Sequence, residues 1–559
     1  MVGRKPASLG EVGRIREWVQ ICSDAHSECT LYQHIVSDTL DFPTRVLDLD
    51  SGSLQEARLV SGADLKGKYI ALSHCWGNSP VVRTTKDTFH QFTDSIDLGC
   101  LNKTFRNTIA VTRSLGIRYL WIDSLCIIQD DALDWEREAG RMAQVYSQAY
   151  LTIAASAASD GTQGLLHEEP IGSSFQLYDG PDGNSLNKGV SIGPAPLRFR
   201  RLIVAPLNTR AWTLQERILA PRILHYARDQ IHWECREMIV SEAEAPPFGE
   251  LIDTSAEDSF HTGWLGRISK DLLPPDGDAK EPGIEESSRG EYETWYGMIQ
   301  VYTQRNLTKD EDKLPALSGI AHAYSQRHLS NYVAGLWLGD IARGLLWFRR
   351  TSESLQPPTL YRAPSWSWAS VEGSVDFFSI SAGTIMEDSI EIYNFTSRIE
   401  LQGHDVFGKV KWGELTLWGG VKQAQLKTIW EADEYDGERL STQMLFDEKS
   451  AIGSATLDFP APDGEVTCLL VANGYHSFGI RIQSNLVLIL SPAGGESEFR
   501  RLGMSIFFEK RDYNPERATR PVGVAQFEEE EKLRLEMMGD SEFLENWFHD
   551  VDYTEVRLV

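Results

Sequence analysis

The sequence predicts an α/β fold, a parallel sheet with flanking helices, followed by a helical segment and a β-rich C-terminal module. Three short apolar runs, YIALSHCWG, RYLWIDSLCII and YLTIAASAA, alternate with stretches of helical period. Strands that alternate with helices through short connections form parallel sheets by right-handed crossovers. After about residue 356 the chain changes to alternating polar and apolar residues with glycine turns, as in GKVKWGELTLWGG, which indicates antiparallel strands.

The elements of the α/β part follow in chain order. Residues 11–35 have apolar side chains at helical spacing and predict a first helix. The strand at 69–77 is followed by a predicted helix over 102–116, which ends at Gly116 as a C-cap. The second strand precedes the clearest helical pattern, 130–149, whose apolar residues recur every three or four positions. The third strand follows directly.

Local composition divides the chain into segments. Glycine, proline, serine and asparagine are frequent at about 167–200, and acidic runs mixed with proline and glycine occupy 241–290. Such composition is typical of loops and insertions. The predicted segments are an N-terminal helical segment (1–50), an α/β domain (51–240) with a loop insertion at about 167–200, an acidic insertion plus helical region (241–355), and the β-rich module (356–559).

Charge and cysteine usage exclude several classes of partner. The 559 residues include 54 basic and 81 acidic ones, a formal net charge of −27, which opposes non-specific binding to nucleic acid or to anionic lipid. The most apolar later stretch, YVAGLWLGDIARGLLWFRR, is interrupted by Asp340 and Arg343 and predicts no membrane span. Seven irregularly spaced cysteines, and a start without the apolar core of a signal peptide, predict a reducing, cytoplasmic location.

Polar residues cluster where the predicted strands end, which is where open parallel sheets bind ligands. Consecutive strand residues point to opposite faces, so Ser73, His74 and Cys75 are not expected to form a triad. Asp123, which follows a buried strand, is expected to be buried and contacted by an arginine or by backbone amides. The tryptophans among the candidates have core packing as their alternative role. The candidate substrate-binding residues are Ser73, His74, Trp76, Gly77, Asp123, Ser124, Arg210, Trp212 and Glu216.

One further stretch has the residue types of a metal site. In CSDAHSEC, Cys22, His26 and Cys29 are spaced by four and three residues and share one helix face. A structural zinc site needs four ligands in a tetrahedron. The sequence offers no evident fourth ligand, so packing of these side chains in a helical interface is the favoured interpretation and no metal is predicted.

Three blocks of the sequence resemble a known family. YIALSHCWG, LGIRYLWIDSLCIIQDDALDWEREAGRMAQVYSQAYLTIAA and NTRAWTLQERILAPRILHY resemble, in order and in separation, the three blocks of the fungal heterokaryon incompatibility (HET) domain. The resemblance is strong over residues 69–240. It implies a role in non-self recognition and regulated cell death, through self-association or through partner proteins of an incompatibility pathway.

HET domains in turn resemble Toll/interleukin-receptor (TIR) domains, some of which hydrolyse NAD. This more distant resemblance implies a TIR-like, flavodoxin-like parallel sheet. Trp135 and Glu138 have the spacing of the TIR tryptophan and catalytic glutamate, although Glu136 and Arg137 stand where the TIR pattern has a cysteine. The resemblance thus implies Glu138 as the catalytic carboxylate of an NAD nucleosidase, with NAD as the substrate and with no cofactor.

Three alternatives stay open on the residues alone: hydrolysis at Glu138, a non-enzymatic signalling module, and a HET fold that binds a small ligand or partner through its β-rich region. Glu138 lies at the margin of the apolar face of its helix, where an ordinary boundary residue would pair with Arg137 or Arg141. The domain would then be a non-enzymatic death-signalling module that acts by self-association or partner binding. A pocket at the sheet end with Glu138 facing into it favours hydrolysis, whereas an ion-paired Glu138 favours the signalling module.

Overall fold

The computed structural model of this chain divides into two compact units. The first comprises Met1–Pro275, Arg305–Leu307 and Pro315–Arg327, and the second comprises Asp276–Gln304, Thr308–Leu314 and His328–Val559. The structure describes residues 12–27, 29, 42–50, 52–165, 175–177, 190–192, 202, 204–228, 230–242, 284–327, 330–350, 355–378, 384–432, 439–447, 450–477, 481–495, 497–508, 547–548, 551 and 553–559.

The helices of the described residues fall mostly in the first unit; only α7 and α9 belong to the second. They are α1 (Val12–Ala25), α2 (Phe89–Asp94), α3 (Lys103–Ser114), α4 (Asp123–Cys126), α5 (Ala132–Ser147), α6 (Thr213–Ile218), α7 (Ile284–Thr303), α8 (Pro315–Arg327) and α9 (Ile341–Gly344). None of these helices has the length and apolar character needed to span a membrane.

Side chains at the helix starts explain where two of the predicted helices begin. The Asn102 side chain accepts a hydrogen bond from the Phe105 amide at α3, and the Asp131 side chain accepts from the Leu133 and Asp134 amides at α5. Such caps satisfy amides that have no partner inside the helix. The sequence predicts a first helix over residues 11–35. In the structure this helix, α1, ends at Ala25, and residues 30–41 lie outside the described part of the chain.

The strands of the first unit were predicted only in part. They are β1 (Arg45–Asp48), β2 (Glu56–Ser61), β3 (Tyr69–Ser73), β4 (Ile96–Asp97), β5 (Tyr119–Trp121), β6 (Leu151–Ala154), β7 (Phe175–Leu177), β8 (Val190–Ile192), β9 (Arg222–Tyr226), β10 (Ile231–Cys235) and β11 (Ile239–Ser241). The three predicted apolar runs supply β3, β5 and β6. Only β7 and β8, which pair with each other, are described within the predicted insertion at about 167–200.

Among the described residues, the first unit holds one mixed sheet in the order β11-β10-β9-β6-β3-β5-β1-β2-β4. The four central strands, β9, β6, β3 and β5, are parallel, which confirms the predicted parallel sheet with flanking helices. The outer strands are antiparallel, so the sheet is mixed. Four residues separate β9 from β10, and a parallel pair would need a crossover of a dozen or more.

The order of the central strands positions the candidate site. The chain leaves β3 to form β5 on one side and then crosses to form β6 on the other side of β3. Such a reversal opens a crevice at the carboxyl ends of the two strands that flank it, here β3 and β6. Both strands are buried along their whole length, which explains their continuous apolar sequence.

The second unit is β-rich, as predicted for the C-terminal module. Its strands in the described residues are β12 (Tyr332–Val333), β13 (Leu336–Trp337), β14 (Trp347–Arg349), β15 (Val375–Phe377), β16 (Thr384–Ile390), β17 (Ile392–Leu401), β18 (Val410–Ala432), β19 (Arg439–Asp447), β20 (Ser450–Leu457), β21 (Gly464–Ser477), β22 (Arg481–Pro492), β23 (Glu498–Phe508) and β24 (Tyr553–Leu558). Strands β16 to β24 form one sheet, in which β18 pairs with β17, β19, β21 and β24. Among the described residues, the short β23–β24 pairing is the one parallel pairing of this sheet.

Candidate functional site

A buried contact between Ser73 and Glu216 lies at the carboxyl end of the parallel strands. Ser73 is the last residue of β3, and its hydroxyl donates a hydrogen bond to the Glu216 carboxylate on α6. Alternation along β3 puts Ser73 on the same face as Tyr69, whose hydroxyl donates to the Val145 carbonyl of α5 at 2.6 Å. The Tyr146 hydroxyl, which donates to the Leu72 carbonyl of β3 at 3.1 Å, lies close to the same carboxylate.

The electrostatic surroundings make Glu216 titrate near neutrality. Burial raises the pKa of Glu216 to about 7, and the negative charge of Asp123 acts in the same direction. The hydrogen bond from Ser73 and the positive charge of Arg210 lower the pKa but do not offset burial. A carboxyl group with such a pKa can accept or release a proton at physiological pH, which is the property that general acid–base chemistry uses.

The neighbouring segment SHCW divides its side chains between two faces, as predicted. Whereas Ser73 reaches Glu216, the His74 ring packs edge-on against Phe105 of α3, with 5.1 Å between ring centroids. Burial lowers the pKa of His74, which favours the neutral imidazole. Neither ring nitrogen of His74 has a hydrogen-bond partner among the described residues. Arg210 donates from its guanidinium to the His74 carbonyl, so it binds the backbone of this segment.

Asp123, which lies just after β5, contacts the segment SHCW at the end of β3. Its carboxylate accepts one hydrogen bond from the Trp76 indole and one from the Ser124 amide, both at 2.7 Å. The His74 Nδ1 atom lies 3.7 Å from Oδ1, the carboxylate oxygen that accepts from the Ser124 amide. The side chain is 24% exposed, so it is less buried than expected, and its partners are a backbone amide and an indole rather than an arginine. The Ser124 hydroxyl is buried and has no hydrogen-bond partner among the described residues.

A small cavity lies beside Ser73 and Glu216. It is also lined by Thr152, Arg217 and His225, and its empty space is about 230 Å³, part of which opens to solvent. These lining residues were not predicted. The signal available in the sequence was a histidine inside the apolar strand RILHY. A buried strand histidine needs polar partners, and those partners come from other elements.

The partners of His225 form a buried polar network. Its Nε2 atom lies 2.8 Å from Glu234 of β10 and its Nδ1 atom lies 3.2 Å from the Ser156 hydroxyl. Arg217 binds Glu234 with two hydrogen bonds, at 2.9 and 3.1 Å. Burial would raise the pKa of Glu234, but the charge of Arg217 and the hydrogen bonds from His225 and Arg217 lower it to about 2. Both ring nitrogens of His225 are therefore held by the protein.

Glu138 lies in a different cluster on α5. The side chain is buried, with the Nε atom of Arg137 at 3.2 Å and the Nη2 atom of Arg45 at 3.8 Å. Asp134 binds the same two arginines and accepts from the Ile128 amide at 2.8 Å. No hydrogen bond or ion pair joins Glu138 to the Ser73–Glu216 contact within the described residues. The catalytic role of Glu138 remains a prediction from the resemblance to TIR domains.

The remaining predicted residues lie around the site without joining the Ser73–Glu216 contact. Trp212 packs edge-on against Trp135, with 6.3 Å between ring centroids, as expected for core packing. Gly77 has a φ of +63°, and a Cβ atom there would lie 2.3 Å from the Asp160 Cβ atom. The absence of a side chain at Gly77 therefore lets residues 159 and 160 lie close to the Gly77 backbone. The three candidate metal ligands lie apart, where α1 meets β10.

Comparison with known proteins identifies the segment that contains this site. Residues 69–216 match the model of the family described as heterokaryon incompatibility protein (HET). The matched range begins at the first residue of β3 and ends at Glu216, so it contains both members of the central contact. No curated protein and no solved structure matches the chain.

Proposed function

This chain carries a HET domain over residues 69–216, and we propose that it acts in heterokaryon incompatibility by hydrolysing the N-glycosidic bond of a nucleotide such as NAD. The HET domain implies the role in incompatibility and cell death. The observation that carries the chemical part is Glu216, a buried carboxyl group with a pKa of about 7 at the carboxyl end of the parallel strands. A TIR-like sheet is part of the proposal, supported by the strand order β5-β3-β6-β9, which has the 2-1-3-4 pattern of flavodoxin-like sheets.

The proposed reaction converts NAD and water to ADP-ribose, nicotinamide and a proton. As the glycosidic bond breaks, nicotinamide leaves with the bonding electrons and positive charge develops on the ribose. In the proposal the ionised Glu216 stabilises that charge and then accepts a proton from the attacking water. Arg210 supplies positive charge for the phosphates, and Trp76, which is oriented by Asp123, supplies an aromatic surface. We take Glu216 rather than Glu138 because two arginines already pair with Glu138.

The test is nicotinamide release from NAD by the purified full chain, at several protein concentrations and with a forced oligomer. We expect Glu216→Gln to lower the rate by about 10²–10³, because glutamine keeps the shape but loses the charge. Glu136→Gln is the matched control, since Glu136 is exposed on α5. Loss of activity in Glu138→Gln with activity retained in Glu216→Gln would assign the chemistry to Glu138 instead. No release by the wild type under any condition would reject hydrolysis of NAD.

Two observations favour the second candidate function, a non-enzymatic death-signalling module. The cavity beside Ser73 and Glu216 has room for about one water molecule, far less than the roughly 300–1,000 Å³ of typical ligand pockets. Glu138 is also held by arginines. Expression of the wild type and of Glu216→Gln in fungal cells separates the two functions. Cell death that persists with the glutamine variant at equal protein level favours the signalling module, whereas its loss favours catalysis.

A further inference from the structure

We propose that Cys22, His26, Cys29 and Cys235 bind one zinc ion in a closed structural site. The side chains offer three sulfurs and one imidazole nitrogen, and these four atoms all lie within 4.8 Å of one another. Cys235 is the fourth ligand that the sequence did not reveal, because it lies more than 200 residues from the other three.

The fold explains why these four residues meet. Trp18 of α1 packs against Trp233 of β10, with 6.4 Å between ring centroids, so the helix covers this face of the strand. Alternate residues of a strand share a face, and Cys235 therefore points to the same side as Trp233. The spacing of four and three residues places Cys22, His26 and Cys29 on one side of the chain at the end of α1.

The geometry suits tetrahedral zinc. Bonds of about 2.3 Å to sulfur and about 2.0 Å to nitrogen place the ligand atoms of such a site roughly 3.5–3.8 Å apart. The His26 Nδ1 atom already lies 3.3 Å from the Cys235 sulfur. Four protein ligands leave no open position, which is the mark of a structural site. Soft sulfur ligands also select zinc over magnesium or calcium.

A buried arginine supports the proposal independently. Arg222 is fully buried, and its Nε atom donates to the Cys22 sulfur at 3.2 Å. In the described parts of the chain no carboxylate forms an ion pair with it, and its Nη2 atom has no hydrogen-bond partner. An uncompensated buried charge is costly. Zinc with three thiolates and a neutral imidazole has a net charge of about −1, which would balance Arg222.

Backbone amides provide the outer contacts that zinc thiolates commonly have. The Arg236 amide donates to the Cys29 sulfur, and the Glu237 amide donates to the Cys235 sulfur. Both amides lie in the turn between β10 and β11, which the Cys235 amide closes by donating to the Met238 carbonyl at 2.9 Å. Such donors orient thiolate ligands and stabilise their negative charge.

The first experiment measures metal in the full chain, purified without chelators. We expect about one zinc per chain by elemental analysis. Exchange for Co²⁺ should produce the visible absorption of a tetrahedral cobalt–thiolate site. Cys235→Ser should reduce bound zinc to background, while Cys100→Ser, which changes an exposed cysteine outside the cluster, should retain it.

A second measurement on the wild type keeps the proposal testable if Cys235→Ser fails to fold. The three cysteines should resist alkylation in the native protein and become reactive when a zinc chelator is added, as mapped by mass spectrometry. Arg222→Met should speed zinc release to the chelator by about 10- to 100-fold, and Arg222→Lys should restore part of the retention. A chain without zinc or cobalt binding, with these cysteines free or joined in a disulfide, would overturn the proposal.

Discussion

Ser73 and Glu216 are 143 residues apart in the sequence and share a hydrogen bond in the interior of the first unit. The contact joins the end of β3 to α6 at the edge where the parallel strands end. It leaves a carboxyl group with a pKa of about 7 beside a cavity.

We expect Glu216 to make the fold less stable as the pH rises. Its pKa is about 7 in the folded chain, against an ordinary value of 4.5. The folded chain therefore retains a proton that the unfolded chain releases between these values, and the free energy of unfolding falls across this window by about 3 kcal/mol. The stabilising effect of Glu216→Gln should thus grow from pH 5 to pH 7.5, as measured by melting temperature. A difference that is constant with pH would contradict the raised pKa.

Asp123→Ala should lower the free energy of unfolding by about 1–2 kcal/mol, because it removes the acceptor for the Ser124 amide and the Trp76 indole. Asp123→Asn keeps one acceptor oxygen and should recover part of this loss. Melting temperatures of the two variants, compared with the wild type, make the check. Wild-type stability in Asp123→Ala would show that these hydrogen bonds do not stabilise the fold.

Gly77→Ala should be much more destabilising than Gly116→Ala. Both glycines have positive φ, +63° and +77°, so alanine strains the backbone at each. A Cβ atom at Gly77 would also lie 2.3 Å from the Asp160 Cβ atom, whereas one at Gly116 would meet nothing within 4 Å. Chemical denaturation of the two variants separates the steric clash from the backbone strain. Equal losses would mean that residues 159–160 move aside freely.

Arg501→Met should destabilise the second unit by about 3–5 kcal/mol, because it leaves Asp458 as an uncompensated buried charge. The Arg501 Nε atom lies 2.9 Å from Asp458, and both side chains are almost completely buried. The guanidinium also stacks on Trp347, with 3.6 Å to the ring centroid. Arg500→Met is the matched control, because Arg500 is exposed and should change stability by less than about 0.5 kcal/mol. Calorimetry of both variants makes the comparison, and similar losses would contradict the ion pair.

Local patterns in the sequence were sufficient to predict the central strands, the helices α3 and α5, and the β-rich C-terminal module. Apolar runs and helical periodicity extend over ten or twenty consecutive residues, so they can be recognised in the sequence without knowledge of the tertiary structure. The positions of Ser73 at the end of β3 and of Asp123 shortly after β5 followed in the same way. The antiparallel edges of the sheet were not predicted, because strands such as β1 (RVLD) and β2 (EARLVS) mix polar with apolar residues and lack the continuous apolar runs of the central strands.

Only the tertiary structure decided which side chains meet. It paired Ser73 with Glu216, surrounded Glu138 with arginines, and brought Cys235 to Cys22 across the interface of α1 and β10. Sequence spacing determines the face of an element on which a residue lies, but the partner on that face comes from a distant part of the chain. The pKa of Glu216 depends in turn on burial, on the hydrogen bond from Ser73 of β3, and on the charges of Asp123 in α4 and Arg210 before α6. Such a quantity exists only after those elements have packed, because solvent exclusion and charge separation are properties of the assembled interior.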